Sequence, residues 1–356
     1  MSGLWIDKYR PLSFSKLDFH YKISSCMQRI GKSTNFPHLF IYGPSGSGKR
    51  TRIMCLLREL YGSVVEKLRL QRETFETPSG KRLEISLVTS NYHLEVNPSD
   101  AGIYDRVVVQ QLIKTTAQTN QFDANSQRGF KVVVITEVDT LTRDAQHALR
   151  RTMEKYASTC RLILVGSSAS HVIGAIRSRC QEIRIPAPNT FEVCQVLRTI
   201  ANKEGMNNVS DDTLTDIVVA SERNVRRAIL KLEAMKVSKR FNVIPEADWE
   251  LYLRTTARMM VSEQSAQQLM SIRSRIYELL GHCIPPDVIL VGLLNEICTS
   301  CDRQLQGQVV QSAAHYDSQL RQGSKPIFHL EAFVANFMHM YDKFTTSGLV
   351  LDDAMF

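Results

Sequence analysis

HLFIYGPSGSGKRTRIMCLLREL, residues 38–60, is the stretch whose reading decides the fold. HLFIYG reads as a buried strand, and TRIMCLLREL (51–60) as the helix that follows the glycine-rich turn between them. Strand, loop and helix in that order are the context in which G-x-x-x-x-G-K-[ST] cradles a phosphate chain. Gly43, Gly48 and Lys49 fit the pattern; Pro44, Ser45, Gly46 and Ser47 fill its variable positions, Gly46 as an extra glycine. Inward-turned backbone N–H groups and the helix N-terminus favour phosphate, and Lys49 can reach its terminal groups.

One residue is out of place. The hydroxyl that normally supports Mg²⁺ should follow the lysine directly, but Arg50 stands there and Thr51 arrives one position late. That delay turns the side chain about 100° around the helix and moves it about 1.5 Å along the axis. A second strand, KVVVIT (131–136), repeats the departure: Thr136 occupies the strand-end position where an acid normally supports the ion, while Glu137, the water-orienting neighbour, is kept. Asp139 lies too far along to replace that acid without a different strand ending. Two metal-supporting positions depart together, so the site is expected to bind ATP or ADP with weak or absent Mg²⁺ and little or no hydrolysis.

The first half of the chain alternates short apolar runs with amphipathic stretches, as βαβ units around a parallel sheet do. RLILVG (161–166) is a further buried strand, and DAQHALRRTMEKY predicts a helix starting near Asp144. TPSGKR (77–82) reads as a hairpin tip, and YHLEVNPSD supplies a strand with Ser99 and Asp100 as candidate caps of a helix running towards Thr116. QTNQFDANSQRG (118–129) is a polar loop. After Pro186 and Pro188 the pattern is helical only. Phe191, Cys194, Leu197 and Ile200 share roughly one face, Ser210 opens a second helix and Asn224 a third. More helices follow FNVIPEADWE (241–250), with Leu269, Ile272, Ile276 and Leu279 at helical spacing. FHLEAFVANFMHMY (328–341) is apolar around most of its circumference, which suits a core or a subunit contact, the latter being the expectation.

The hydrophobic share of 43% and charged share of 22% are those of a globular protein, and the net charge of +8 suits a polyanionic partner. No apolar run approaches the ~20 residues of a membrane span, and MSGLWIDKYRP does not resemble a secretory signal, so a cytosolic or nuclear protein is expected. Of the eight cysteines only Cys298 and Cys301 form a C-x-x-C, with no second pair at zinc spacing; reduced thiols and no metal site are expected.

WIDKYRP, HLFIYGPSGSGK, ALRRTMEKY and IRSRC together resemble the small subunits of the eukaryotic clamp loader replication factor C, over essentially the whole chain. The resemblance implies an α/β RecA-like AAA+ domain with a parallel sheet (1–187), a helical lid (188–242) and an all-α helical collar (243–356). It implies a nuclear hetero-pentamer in which four other clamp-loader subunits complete an arc that binds ATP, opens a ring-shaped sliding clamp and places it on primer–template DNA in replication and repair, with no membrane partner. Nucleotide sites then lie between neighbours. Ile6, Tyr9, Arg10 and Pro11 would line the adenine, Ser167 stands at the family's sensor asparagine, and Arg226, with Arg227 as a near alternative, matches the lid arginine that touches phosphates. In Ser178-Arg179-Cys180, Arg179 would be an arginine finger acting in trans. Arg106 and Lys114 are the candidates for phosphate contacts with DNA, although Ala101-Gly102 stands where the family often has acid and arginine. Two other readings remain open: a self-sufficient P-loop ATPase with unusual metal ligands, and a DNA-binding module with a relic nucleotide site.

Overall fold

A computed structural model describes residues 3–33, 35–76, 82–118, 129–206, 209–239, 244–323 and 325–353. Seven strands, β1 Leu39–Tyr42, β2 Arg69–Glu76, β3 Arg82–Thr89, β4 His93–Val96, β5 Lys131–Ile135, β6 Cys160–Gly166 and β7 Gln181–Arg184, form one sheet in the order β2-β3-β4-β5-β6-β1-β7. From β4 to β7 the pairing is parallel throughout. At the other edge β2, β3 and β4 pair antiparallel, so the sheet is mixed rather than wholly parallel. The β2–β3 ladder runs from Arg69↔Thr89 to Glu76↔Arg82, which frames the expected hairpin tip; the tip residues 77–81 and most of the expected loop at 118–129 lie outside the described residues.

The helices of this part are α1 Trp5–Lys8, α2 Tyr21–Lys32, α3 Lys49–Tyr61, α4 Asp105–Gln118, α5 Arg143–Lys155, α6 Gly174–Arg177, α7 Thr190–Lys203, α8 Asp211–Ala220 and α9 Val225–Ser238. Side chains alternate across a strand, and the two faces of the central strands sort accordingly. Leu39, Ile41, Val132, Val134, Ile163 and Val165 pack with Met27, Leu56 and Leu57 from α2 and α3. Phe40, Val133, Ile135, Leu162 and Leu164 pack on the opposite face with Leu112 of α4 and Leu149 and Met153 of α5. Each fully buried side chain of this size contributes about 1.5–3 kcal/mol. Helices cover both faces, which is why these strands read as unbroken apolar runs.

Two local expectations are corrected. The helix expected after Ser99 begins at Asp105: residues 98–104 form a 3-10 stretch interrupted at Gly102 (φ 57°, ψ −122°), and Ser99 Oγ donates to Asn97 Oδ1 (2.9 Å) instead of capping. In α7 the buried face is Val193, Val196, Leu197, Ile200 and Ala201, while Phe191 is exposed, because a strict three-residue spacing drifts off a 3.6-residue helix.

Contacts divide the chain into two units, 1–244 and 245–356. Helices α7, α8 and α9 form a bundle within the first, with Trp5 and Phe19 in its apolar core. The second unit is helical: α10 Asp248–Ser262, α11 Ala266–Gly281, α12 Pro286–Ser300, α13 Arg303–Gln322 and α14 Pro326–Asp353. Leu330, Phe333, Val334 and Phe337 of α14 are wholly buried in that unit's own core, so its apolar circumference is core, with Phe328 exposed. Cys301 is buried and Cys298 half-buried, and burial raises the pKa of both thiols. No helix among the described residues is long and apolar enough to cross a membrane.

Candidate nucleotide site

The glycine-rich loop leaves the carboxyl end of β1, between β6 and β7, where doubly wound sheets bind ligands. Two of its glycines are required by contact as well as by conformation. A Cβ on Gly43 (φ +153°) would lie 1.9 Å from the Ile185 carbonyl oxygen, and one on Gly46 (φ +72°) would lie 1.8 Å from Asn224 Oδ1. The extra glycine of the motif is therefore where the lid touches the loop. Asn224 also caps α9, accepting a hydrogen bond from Arg227 N (3.2 Å).

Lys49 opens α3, and its ammonium donates to the carbonyls of Gly43 (2.5 Å) and Pro44 (2.9 Å). Burial lowers its pKa; the charge of Asp139 works against that shift and the charge of Arg226 adds to it. Lys49, Asp139 and Arg226 thus share one electrostatic neighbourhood. Pro44 and Ser45 are exposed at the rim, whereas Ser47 is buried with an unpartnered hydroxyl oxygen.

A buried arginine that the motif does not announce braces this loop. Arg52 is fully buried; it donates to the carbonyls of Ser47 (3.1 Å), Gly48 (3.4 Å) and Phe19 (2.9 Å), and its guanidinium stacks 4.8 Å from the Phe19 ring centroid. Burial lowers its pKa to about 10. It stands one turn after Gly48 in a helix that also carries Lys49, Arg50, Arg58 and Glu59, so nothing in the sequence set it apart.

Several side chains at the two metal-supporting positions have protein partners. Arg50, in the hydroxyl position, donates to Glu95 Oε2 (2.9 Å), and Thr51 is half-buried one residue on. Thr136 Oγ1 donates to the Val96 carbonyl (3.1 Å). Asp139 Oδ2 accepts from Ser167 N (3.0 Å), Ser168 N (3.3 Å) and the Ser167 hydroxyl. Glu137 sits at φ 55°, with Asn97 Nδ2 donating to its carboxylate (3.2 Å) and Thr140 Oγ1 to its carbonyl (2.7 Å). A non-glycine residue there costs about 1–3 kcal/mol, so these bonds hold Glu137 in a costly conformation. Arg50 and Thr136 thus stand at the two positions where a hydroxyl and an acid would face a metal.

The N-terminal arm runs from the lid to α3. Ile6 and Tyr9 pack on the lid core, and Tyr9 Oη donates to Glu204 Oε1 (2.5 Å). Lys236 (2.6 Å) and Lys8 (2.5 Å) grip the same carboxylate; hydrogen bonds from Lys236, Lys8 and Tyr9 hold its pKa down at about 2. Arg10 pairs with Asp7 (3.0 Å), and the Pro11 carbonyl accepts from Cys55 Sγ of α3 (3.6 Å). The arm therefore meets the lid through Ile6 and Tyr9 and the phosphate-loop helix through Pro11, while Arg10 pairs within the arm.

Arg179 lies elsewhere, after α6, one-third exposed and paired with Glu154. Arg106 and Lys114 are exposed on α4. The start of that helix is pinned beside the start of α5, because buried Asp105 accepts from Thr142 N (2.7 Å) and Thr142 Oγ1 (2.9 Å). Arg52, Asn97, Glu154, Glu204 and Asn224 are the participants that motif reading missed.

Comparison with known proteins adds three family matches: "Replication factor C subunit 3, C-terminal domain" over residues 249–345, "RCF1/5-like, AAA+ ATPase lid domain" over 195–237, and "DNA polymerase III, delta subunit" over 20–189. The chain is 55% identical over 351 residues to replication factor C subunit 3 of Homo sapiens, covering 98% of each chain. It is 44% identical over 346 residues to replication factor C subunit 5 of Schizosaccharomyces pombe, covering 95% of this chain and 96% of that one. A Thermotoga maritima RuvB variant of solved structure superposes with a TM-score of 0.48 at 14% identity, covering 81% of this chain and 88% of that one, too distant to bear on the site.

Proposed function

The chain belongs to the replication factor C family of clamp-loader subunits, and from that premise we propose that it is a small subunit, of the 38-kDa third-subunit type, that holds nucleotide in its own pocket and lends its catalytic group to a neighbour. In this reading it is one of five subunits of a nuclear complex that uses ATP to load a sliding clamp onto primer–template DNA. The division into a RecA-like domain (1–187), lid (188–242) and collar (243–356) belongs to the same proposal.

The observation that carries the reading is the contrast within one pocket. Lys49 opens the helix behind the glycine loop and Asn224 of the lid sits against Gly46, while Thr136 Oγ1 donates to the Val96 carbonyl and Asp139 Oδ2 accepts from Ser167 and Ser168. Bound ATP would supply the phosphates that the loop N–H groups and Lys49 receive in place of the Gly43 and Pro44 carbonyls. Arg226 adds charge from the lid side, and Asn224 against Gly46 ties loop shape to lid position. Ile6, Tyr9, Arg10 and Pro11 line the base between lid and α3. Glu137, kept by Asn97, has no partner ion to work with, so cleavage in cis is slow or absent.

Arg179, on the surface after α6, is proposed as the arginine finger that stabilises charge on phosphate in the adjoining subunit's site. Such a group contributes about 10³–10⁵ in rate where it has been measured. Arg106 and Lys114 follow duplex phosphates without reading sequence. The test is ATP turnover by the purified assembly, with bound nucleotide identified chain by chain, before and after Arg179→Ala. The reading expects intact assembly with slowed turnover; unchanged turnover would remove the finger assignment.

A further inference from the structure

We propose that Glu154 is the positioning residue for Arg179, fixing the direction in which its free N–H groups are presented; this rests on the reading of Arg179 as a finger. A guanidinium has five N–H donors in a rigid planar fork, so where it is gripped decides which edge is left to bind an anion. Glu154 Oε1 accepts from Arg179 Nε (2.7 Å) and lies 2.5 Å from Nη2. These two nitrogens are the side-on edge of the fork. Nη1 donates to the Ala175 carbonyl (2.6 Å), with Ser178 Oγ at 3.4 Å. Glu154 takes the Nε–Nη2 edge and Ala175 an N–H of Nη1, and the remaining Nη N–H groups are left for an incoming oxyanion. Arginine pairs with phosphate most strongly through two parallel N–H groups.

The grip is useful only if Glu154 is itself fixed relative to Arg179, and the fold supplies that. Helix α5 buries Ala145, Gln146, Ala148, Leu149 and Met153, and its first turn is capped by Thr142, which Asp105 holds. Gln146, 1% exposed, then ties α5 to the segment leading into α6. Its Nε2 donates to the carbonyls of Leu141 and His171 (3.1 Å each), and its Oε1 accepts from Ile173 N (2.9 Å). The helix bearing Glu154 and the turn bearing Arg179 are therefore locked together by a buried amide. Arg150 lies farther from the same oxygen, at 4.0 Å, so among the described residues Arg179 is its nearer cation. A flexible arginine would lose most of its rotamer freedom on docking; one already held loses less.

The experiment is a double-mutant cycle on steady-state ATP turnover by the full assembly, reconstituted with Arg179→Ala, Glu154→Ala, Glu154→Gln and the Arg179→Ala/Glu154→Ala double variant. Misplacing a reacting group by about 1 Å costs up to about 100-fold. Glu154→Ala is expected to lower kcat about 10-fold with KM and assembly unchanged, and Glu154→Gln, which keeps one acceptor oxygen, to lower it less. In the Arg179→Ala background Glu154→Ala should change nothing, because the two residues act as one unit. Unchanged or raised kcat in Glu154→Ala, with Arg179→Ala slowed, would overturn the positioning role and leave the finger standing. An effect that multiplies with that of Arg179→Ala would mark a merely structural carboxylate and also overturn it. No effect of Arg179→Ala would remove the finger reading itself. Should Glu154→Ala fail to assemble, Glu154→Gln carries the same cycle.

Discussion

Replacing Arg52 by methionine should loosen the phosphate loop, and the structure sets the size of the effect. Methionine keeps most of the apolar stem in place, so the change removes chiefly the guanidinium. Two good charge-assisted bonds disappear, to Phe19 O (2.9 Å) and Ser47 O (3.1 Å), with the Gly48 interaction at 3.4 Å adding little. Hydrogen bonds to charged groups contribute about 1.5–3 kcal/mol each, and a desolvated stack on an aromatic ring about 2. Against this, the variant no longer buries a charge whose pKa is pulled down to about 10, nor leaves Nε without a partner. These losses come to about 5–8 kcal/mol, and relieving a buried ion's desolvation returns several kcal/mol, so a net destabilisation of about 2–4 kcal/mol remains. Because the chain forms two units, the measurement must report one of them. The sequence has two tryptophans, Trp5 in the first unit and Trp249 in the second, so urea unfolding followed by Trp5 fluorescence in a Trp249→Phe background isolates the unit of interest. A change below about 1 kcal/mol, or a gain, would mean that desolvation outweighs the carbonyl bonds, and Arg52 would then not be a brace.

Gly46→Ala should weaken nucleotide binding by about 10-fold or more, since left-handed backbone costs an alanine about 1–2 kcal/mol and its Cβ would displace the Asn224 side chain; titration with a fluorescent ADP analogue measures it, and unchanged affinity would refute the coupling of loop to lid. Glu204 has a folded pKa near 2 against 4.5 unperturbed, so its contribution to docking the arm is complete above pH 4.5 and lost as pH falls from there towards 2. The difference between wild type and Glu204→Gln in Trp5 fluorescence should therefore be constant near neutrality and shrink as pH falls from 4.5 towards 2; a difference that does not shrink across that window would contradict the assignment. Arg106→Gln with Lys114→Gln should reduce the salt dependence of DNA binding by the assembly by about 0.9 in slope for each phosphate no longer neutralised, uniformly across sequences, and an unchanged slope would exclude both residues.

The parallel strands and the loop were legible because they are written locally. Leu39, Phe40 and Ile41 are consecutive and apolar, as strands covered on both faces must be, and the glycines recur at the motif's spacing. The departures at Arg50 and Thr136 were legible for the same reason. What those residues do instead was not, because Glu95 and the Val96 carbonyl reach them only through the sheet. Asn224 on Gly46 and Glu154 on Arg179 are likewise products of tertiary packing, across 178 and 25 residues of chain. Ser99 and Asp100 looked like helix caps because their residue types favour caps; Asn97 and the kink at Gly102 recruit them into a turn first.

Turnover by the isolated full-length chain, with Mg²⁺ and with chelator, bears most directly on the claim that this pocket holds nucleotide without equipping it for cleavage. The account predicts saturable ADP and ATP binding that chelation barely changes, with no turnover above background in either condition. Magnesium-dependent turnover by the chain alone, abolished by Lys49→Ala, would contradict it.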